Sequence, residues 1–123
     1  MFCWVTIYVK DMEDSLRFYR EIVGLKVNRR FKPMSSTEIS FLGSEGTNTE
    51  VELIKNDKNT NPQYGKDISM GFIVKSLENT IANLKTKKIG NIEGPFQPGP
   101  NVKFIYITDP NGVKIQFVEN ISK

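Results

Sequence analysis

The side chains of this chain that can bind another molecule alternate with aliphatic residues along its predicted strands. Trp4 and Tyr8 can stack on a planar ligand, whereas Ser69 and Gln116 offer neutral hydrogen-bond donors and acceptors. The chain contains no histidine, which is the usual general base and the commonest transition-metal ligand. These residue types suit the orientation of a ligand better than its activation.

The strands that position these side chains have one aliphatic face and one mixed face, because successive side chains of a strand point to opposite sides. In the first strand, Val5, Ile7 and Val9 share the aliphatic face with Cys3, which we therefore expect to be buried. The aliphatic faces are needed to pack on helices, so the mixed faces are predicted to line a cavity. The residues predicted on the mixed faces are Trp4, Thr6, Tyr8, Glu50, Glu52, Ile54, Ser69, Gly71, Ile73, Lys114, Gln116 and Val118.

A helix is predicted to follow the first strand and to span about Met12 to Val23. Asp11 is a suitable N-cap, and Gly24 can adopt the left-handed conformation that ends a helix. The apolar residues of this segment recur at spacings of four, three and four, as Met12, Leu16, Tyr19 and Val23.

The pattern of strand, cap and helix occurs twice in the chain. The stretch Trp4 to Tyr19 recurs as Ser69 to Leu84 at an offset of 65, with Ser76 as the second cap. Likewise VELIKN, residues 51–56, recurs as IQFVEN, residues 115–120, at an offset of 64. We therefore expect one domain over 1–123 that contains internal repeats of about 1–56 and 66–123, linked by the polar segment 55–66.

Three further strands complete each repeat. Candidates in the first are Lys26–Lys32 and Glu38–Leu42, whose registers are uncertain, and Glu50–Ile54. In the second, the glycines and prolines of 89–100 leave room for only a short strand, and a hairpin follows in which DPNG, residues 109–112, joins two strands. The predicted fold class is α+β, with two tandem βαβββ modules that form a curved mixed sheet around a cavity and carry their helices on the outer face.

Composition excludes several classes of protein. A chain of 123 residues fits one domain, and its single cysteine allows no intrachain disulfide. It lacks an apolar run long enough for a membrane helix and the charged-then-apolar start of a signal peptide, so a cytoplasmic location without membrane contact is expected. The net charge of +3 is too weak to indicate a nucleic-acid partner, and the basic residues between Arg17 and Lys32 are interpreted as a solvated face.

Three stretches of the chain resemble the vicinal oxygen chelate superfamily, which contains glyoxalase I, the bleomycin-resistance proteins and the extradiol dioxygenases. They are VTIYVKDMEDSLRFYREIVGLKV near the start, FIVKSLENTI in the middle and DPNGVKIQFVE near the end. The resemblance covers nearly the whole length. It implies the fold, but not one function, because members share a fold and differ in chemistry.

The resemblance also identifies the positions at which metal-dependent members hold a divalent ion. The two histidines and two glutamates that are common there correspond to Trp4, Ser69, Glu52 and Gln116 in this chain. Only Glu52 is a usual ligand, so we expect no metal and no cofactor. Members that act on carbonyl compounds use a carboxylate at the Glu52 position as a general base, which makes Glu52 the catalytic candidate.

Three functions remain open. The favoured one is a metal-free protein that binds a small hydrophobic or aromatic molecule, as the bleomycin-resistance proteins do. The alternatives are a glyoxalase-type lyase or isomerase acting on a small carbonyl compound or thiol adduct, and a structural or partner-binding module whose pocket has closed, with Trp4 filling it. A homodimer is expected, since paired modules leave sheet edges exposed. The residues predicted to contact the ligand are Trp4, Thr6, Tyr8, Ser69, Lys114 and Gln116.

Overall fold

The computed structural model describes residues 1–120, which divide into two compact units, Met1–Gln63 and the residues from Tyr64 onward. The division falls inside the polar segment predicted to link the repeats. The second predicted repeat extends to residue 123, and its positions 121–123 lie outside the described residues. Each unit contains a strand, a helix and three strands, which confirms the α+β class and the two βαβββ modules.

The first unit begins with β1 (Trp4–Tyr8), which leads into α1 (Met12–Arg17). Asp11 caps this helix as predicted, because its carboxylate accepts a hydrogen bond of 2.9 Å from the backbone N–H of Asp14. The carboxylate satisfies one of the backbone N–H groups that a helix leaves unpaired at its start.

The predicted helix continues to Val23, but it changes geometry after Arg17. A π-helical turn spans Phe18–Ile22, and the Val23 N–H donates to the Phe18 carbonyl at 3.2 Å. Both Phe18 and Tyr19 are buried there, whereas the spacing of an ordinary helix predicted only Tyr19. Gly24 ends the segment with a φ of +90°, as expected for a left-handed cap.

The sheet of the first unit adds β2 (Lys26–Met34), β3 (Thr37–Gly43) and β4 (Glu50–Asn56) in the order β1-β4-β3-β2. β1 runs parallel to β4, and the other two pairs are antiparallel. Helix α1 packs on β4. The buried apolar residues of this unit are Ile7, Val9, Met12, Leu16, Phe18, Tyr19, Leu25, Phe41, Leu42, Val51 and Leu53.

The second unit repeats this order. It contains β5 (Ser69–Ile73), α2 (Leu77–Thr86), β6 (Glu93–Gly99), β7 (Val102–Thr108) and β8 (Lys114–Asn120), with the sheet order β5-β8-β7-β6. β5 is parallel to β8, and the hydroxyl of Ser76 caps α2 by accepting from the Asn79 N–H at 3.1 Å. Its buried apolar residues are Leu77, Leu84, Ile105, Ile107, Val113, Ile115 and Phe117. No helix within residues 1–120 is long and apolar enough to cross a membrane.

The turn between β7 and β8 has the predicted hairpin geometry. The buried Asp109 carboxylate accepts hydrogen bonds from the backbone N–H groups of Asn111 and Val113, both at 2.8 Å. Gly112 has a φ of +101°, which favours glycine at this position. The turn therefore fixes the register of β7 against β8.

Two sequence expectations are wrong. β6 is a seven-residue strand rather than a short one, because it lies at the edge of its sheet, where Pro95 and Pro98 need not donate to a second neighbour. Its pairing with β7 is accordingly irregular. Cys3 is exposed rather than buried, since it precedes β1 and is not part of a strand face.

Candidate functional site

The mixed face of the first unit brings four predicted site residues together. In the parallel pairing of β1 with β4, Thr6 lies opposite Glu52 and Tyr8 lies opposite Ile54, while Trp4 lies at the end of the same strand. β3 and β2 extend this face with residues that the sequence did not assign, namely Ile39, Phe41, Arg29 and Phe31.

An aromatic cluster forms the centre of the first mixed face. Trp4 contacts Phe41 edge to face, with ring centroids 5.1 Å apart, and Phe31 stacks on Phe41 at 6.4 Å. Phe41 is only 5% exposed, whereas Trp4 is 44% exposed and Phe31 43%. Phe41 is thus a buried floor against which two accessible rings are held.

Glu50 lies beside this cluster and is already neutralised. Its two oxygens accept hydrogen bonds from Arg29 at 3.1 Å and from the Asn28 amide at 3.0 Å. The Arg29 guanidinium also lies 3.9 Å from the centre of the Phe41 ring, a cation–π contact. Glu50 therefore serves to orient Arg29 over the aromatic floor.

Glu52, the predicted catalytic residue, is 9% exposed and differs from Glu50 in its partners. The Thr6 hydroxyl donates to its Oε1 at 2.5 Å. Among the residues that the structure describes, Oε2 accepts no hydrogen bond, so one oxygen remains available to a ligand. Thr6 thus orients the Glu52 carboxylate, whereas the sequence predicted only that Thr6 contacts the ligand.

The mixed face of the second unit brings the other three predicted site residues together. Ser69 lies opposite Lys114 in the pairing of β5 with β8, and Gly71 lies opposite Gln116. The Gln116 amide donates to the Tyr106 hydroxyl at 3.4 Å. A side chain at position 71 would press on that amide, because a Cβ built on Gly71 lies 3.0 Å from Gln116 Oε1, closer than ordinary van der Waals contact.

β7 contributes two aromatic residues to the second mixed face. The sequence did not show which side chains of this strand lie on the mixed face. The pairing with β8 does, since Phe104 lies opposite Val118 and Tyr106 lies opposite Gln116. Phe96 of β6, which the sequence did not assign, completes a trio with centroid distances of 5.5 to 6.2 Å. The trio, with Pro95, Gln97 and Pro98, lines a groove of about 590 Å³, termed the apolar groove below.

Three of the six basic residues between Arg17 and Lys32 are paired with carboxylates of the first unit. Arg17 pairs with Asp14 at 3.0 Å, and Arg30 pairs with Glu13 and Glu38. Hydrogen bonds to Glu38 and Glu13 raise the pKa of Arg30 above its usual value. This arrangement agrees with the interpretation of these residues as a solvated face.

Potential metal donors are sparse. Within residues 1–120, no three side chains of the histidine, cysteine, aspartate or glutamate type are gathered as a metal site would require. The donors that the two mixed faces do offer are the carboxylates of Glu50 and Glu52, the Thr6 and Ser69 hydroxyls and the Gln116 amide. Most of these are weak ligands or are occupied by protein partners.

Comparison with known proteins gives one family. The sequence profile described as Glyoxalase/Bleomycin resistance protein/Dioxygenase superfamily matches residues 2–117. The lactoylglutathione lyase of Haemophilus influenzae is 30% identical over 125 residues, which cover 93% of this chain and 88% of that protein. The uncharacterized protein YwbC of Bacillus subtilis is 28% identical over 116 residues, which cover 92% of each.

Solved structures show the same fold. The glyoxalase I of Leishmania major has a TM-score of 0.80 at 24% identity and covers 97% of this chain and 86% of its own. TnmS3, described as an antibiotic binding protein from Streptomyces, has a TM-score of 0.77 at 18% identity, with 98% and 95% covered.

Proposed function

Because this chain belongs to the Glyoxalase/Bleomycin resistance protein/Dioxygenase superfamily, we propose that it binds a small, planar, amphipathic molecule on its mixed faces without a metal ion. Each mixed face is proposed as a contact surface by itself: the first offers stacking area, and the second offers neutral hydrogen bonds and a positive charge. The proposed contacts are Trp4, Thr6, Tyr8, Ser69, Lys114 and Gln116.

The observation that carries the proposal is the aromatic cluster of the first mixed face. Exposed aromatic rings are costly in water, yet Trp4 and Phe31 keep over two-fifths of their surface exposed while Phe41 holds them in position. Rings preoriented in this way lose little entropy when a planar ligand stacks on them. One neighbour by fold, TnmS3, is described as antibiotic binding, which agrees with small-molecule capture.

The chemistry of the donors supports a metal-independent site. At the positions that the resemblance assigns to metal ligands, the Trp4 indole has no lone pair to donate, and the Ser69 hydroxyl and Gln116 amide are neutral and weak. The remaining residue, Glu52, already accepts a hydrogen bond from Thr6. This set does not suit a transition-metal ion, and the proposal uses none.

The second candidate is a lyase of the lactoylglutathione type, with Glu52 as general base. Two observations favour it, namely the 30% identity to a lactoylglutathione lyase and the Glu52 Oε2 that lacks a partner within residues 1–120. The discriminating assay follows lactoylglutathione formation, with and without added zinc or nickel, in the parent and in Glu52→Gln. Turnover that Glu52→Gln abolishes would favour the lyase.

The binding proposal is tested with a thermal-shift screen of planar aromatic compounds, followed by calorimetric titration of each hit against the parent and the variants, and by fluorescence titration of the parent. Trp4 is the only tryptophan, so its emission reports directly on the first mixed face. Burial of an aromatic anchor contributes about 1.5–3 kcal/mol, so Trp4→Ala should weaken binding roughly 10-fold or more. Met34→Ala, which removes another exposed apolar side chain of the same unit, should change little. Hits that bind Trp4→Ala as tightly as the parent would refute the proposal.

A homodimer is part of the proposal. Each four-stranded sheet ends in two edge strands, and large apolar side chains are exposed on both units, including Phe2, Met34, Ile68 and Ile73. Both features favour association with a second copy. Light scattering at micromolar concentration should give twice the chain mass, and a monomeric mass would contradict this.

A further inference from the structure

Two concave regions of the second unit share one lining residue, Tyr106. The first is the apolar groove with Phe96 and Phe104. The second is a cleft of about 530 Å³, termed the basic cleft, whose lining includes Lys66, Lys114, Thr108 and Asn91. The second mixed face therefore offers an apolar and a polar compartment side by side.

The two lysines of the basic cleft are not paired with a carboxylate in the part of the chain that the structure describes. Within residues 1–120, neither Lys66 nor Lys114 forms an ion pair, whereas Lys55 and Lys103 each do. One carboxylate, Glu93, also lines the cleft, so its lining carries one net positive charge. Cations beside a concave protein surface of low dielectric attract an anion more strongly than cations in open water.

Lys114 is held in position at the boundary between the compartments. Its ammonium group lies 4.2 Å from the centre of the Tyr106 ring, a cation–π contact that fixes its direction. In the strand ladder it pairs with Thr108, a hydroxyl-bearing residue that lines the same cleft. An anionic oxygen at Lys114 would thus also be near a neutral hydrogen-bond donor.

We infer that the second mixed face binds a small aromatic acid. Its ring would lie against Phe96, Phe104 and Tyr106 in the apolar groove. Its carboxylate, sulfonate or phosphate group would lie in the basic cleft at Lys66 and Lys114. This inference rests on the proposed function, because Lys114 is one of the proposed ligand contacts, and it adds the charge and the chemical class of the ligand.

The test compares two probes of nearly the same shape, 2-naphthoate and its neutral analogue 2-naphthamide, by calorimetric titration of the whole chain. At low salt the naphthoate should bind about 5-fold more tightly, as expected for a partly exposed ion pair. This preference should shrink as salt is raised, because the ion pair is screened, while naphthamide binding should change little.

Two lysine variants test whether the preference for naphthoate over naphthamide arises in the basic cleft. Lys114→Met and Lys66→Met keep the apolar part of the side chain and remove the charge, so each should lower naphthoate affinity and leave naphthamide affinity almost unchanged. Lys85→Met on α2 is the matched control, because it removes an exposed charge outside the cleft. Phe96→Ala should weaken both probes alike.

The outcomes separate this inference from the proposed function. If the parent binds the two probes equally, the inference that the ligand is an aromatic acid is wrong, whereas the proposal that the protein binds a planar aromatic molecule is still supported. A naphthoate preference that survives in Lys114→Met and Lys66→Met, or falls equally in Lys85→Met, would also overturn it. Binding of neither probe to the parent would overturn both proposals.

Discussion

Two fully buried serines of the first unit give opposite predictions for the same substitution. Ser40 of β3 and Ser15 of α1 are both 0% exposed. The Ser15 hydroxyl donates to the Asp11 carbonyl at 2.8 Å, whereas the Ser40 hydroxyl has no hydrogen-bond partner within residues 1–120. A buried hydroxyl without a partner carries its full desolvation cost. Ser40→Ala should therefore stabilise the protein, and Ser15→Ala should not.

The magnitudes follow from the value of one hydrogen bond. Removing the unpaired Ser40 hydroxyl should raise the free energy of unfolding by about 1 kcal/mol, after a small loss of packing. For a protein of this size that corresponds to a rise in Tm of about 4 °C. Ser15→Ala removes an existing hydrogen bond, and the higher helix propensity of alanine offsets that loss in part. The free energy of unfolding should therefore fall by roughly 0.5–1 kcal/mol.

The assay is urea unfolding of the parent and both variants, monitored by circular dichroism and by Trp4 fluorescence. Ser40 neighbours Phe41 but faces the opposite side of β3, so Ser40→Ala should leave ligand affinity on the first mixed face unchanged. If Ser40→Ala destabilises the protein as much as Ser15→Ala does, the hydroxyl has a partner and the reasoning fails.

Three further changes have expected outcomes. Gly71→Ala should displace the Gln116 amide and weaken any ligand that bonds to it by about 5-fold in a calorimetric titration, the value of one hydrogen bond; unchanged affinity would refute a role for that amide. Burial, with a nearby carboxylate, raises the pKa of Tyr64 to about 12, above its usual value near 10. The folded protein thus favours the neutral phenol, and stability should fall as pH rises from about 10 to 12, less so in Tyr64→Phe; an identical fall in the variant would contradict this. Arg30→Met should lower the free energy of unfolding by at most about 1 kcal/mol in low salt, and by less in high salt. Arg17→Met should have a smaller effect in the same urea titrations, because the ion pairs of Arg17 are with nearby residues of its own helical segment.

The sequence predicted the parts of the fold whose signals are local. The Asp11 cap, the Gly24 stop and the turn at Gly112 each depend on a few adjacent residues, and the structure has all three. Alternation of apolar and polar residues likewise predicted the buried face of β4 and β8. Such signals need no knowledge of which strand lies alongside.

The sequence failed where the answer depends on a partner strand. The stretch from Phe104 to Ile107 is apolar at every position, so alternation cannot tell which residues face the helix, and only the pairing with β8 decides it. Phe31 was missed because the register of β2 against β3 shifts near Val27, and Phe41 because apolar residues fall on both faces of β3, as Ile39, Phe41 and Leu42. The aromatic floor of the first mixed face was therefore hidden, although Trp4 above it was not.

The two mixed faces place matched residues at matched positions, and their differences indicate how the repeat has diverged. In the first unit Thr6 and Phe41 flank Glu52 on neighbouring strands; at the same repeat positions Gly71 and Tyr106 flank Gln116 in the second. Each face has an aromatic ring under a cation, Arg29 in the first and Lys114 in the second.

The difference between the two faces lies in what the cation is paired with. In the first repeat, Glu50 neutralises Arg29. The residue that corresponds to Glu50 in the second repeat is Lys114, so a carboxylate in one repeat is replaced by an ammonium group in the other. Within residues 1–120, the first face thus has a paired cation in Arg29 and a buried carboxylate in Glu52, whereas the second has Lys114 without an ion pair and the neutral amide of Gln116. The acidic group of the ligand inferred for the second face therefore follows from Lys114, whereas the Glu52 carboxylate makes the first face unfavourable for the same acidic group.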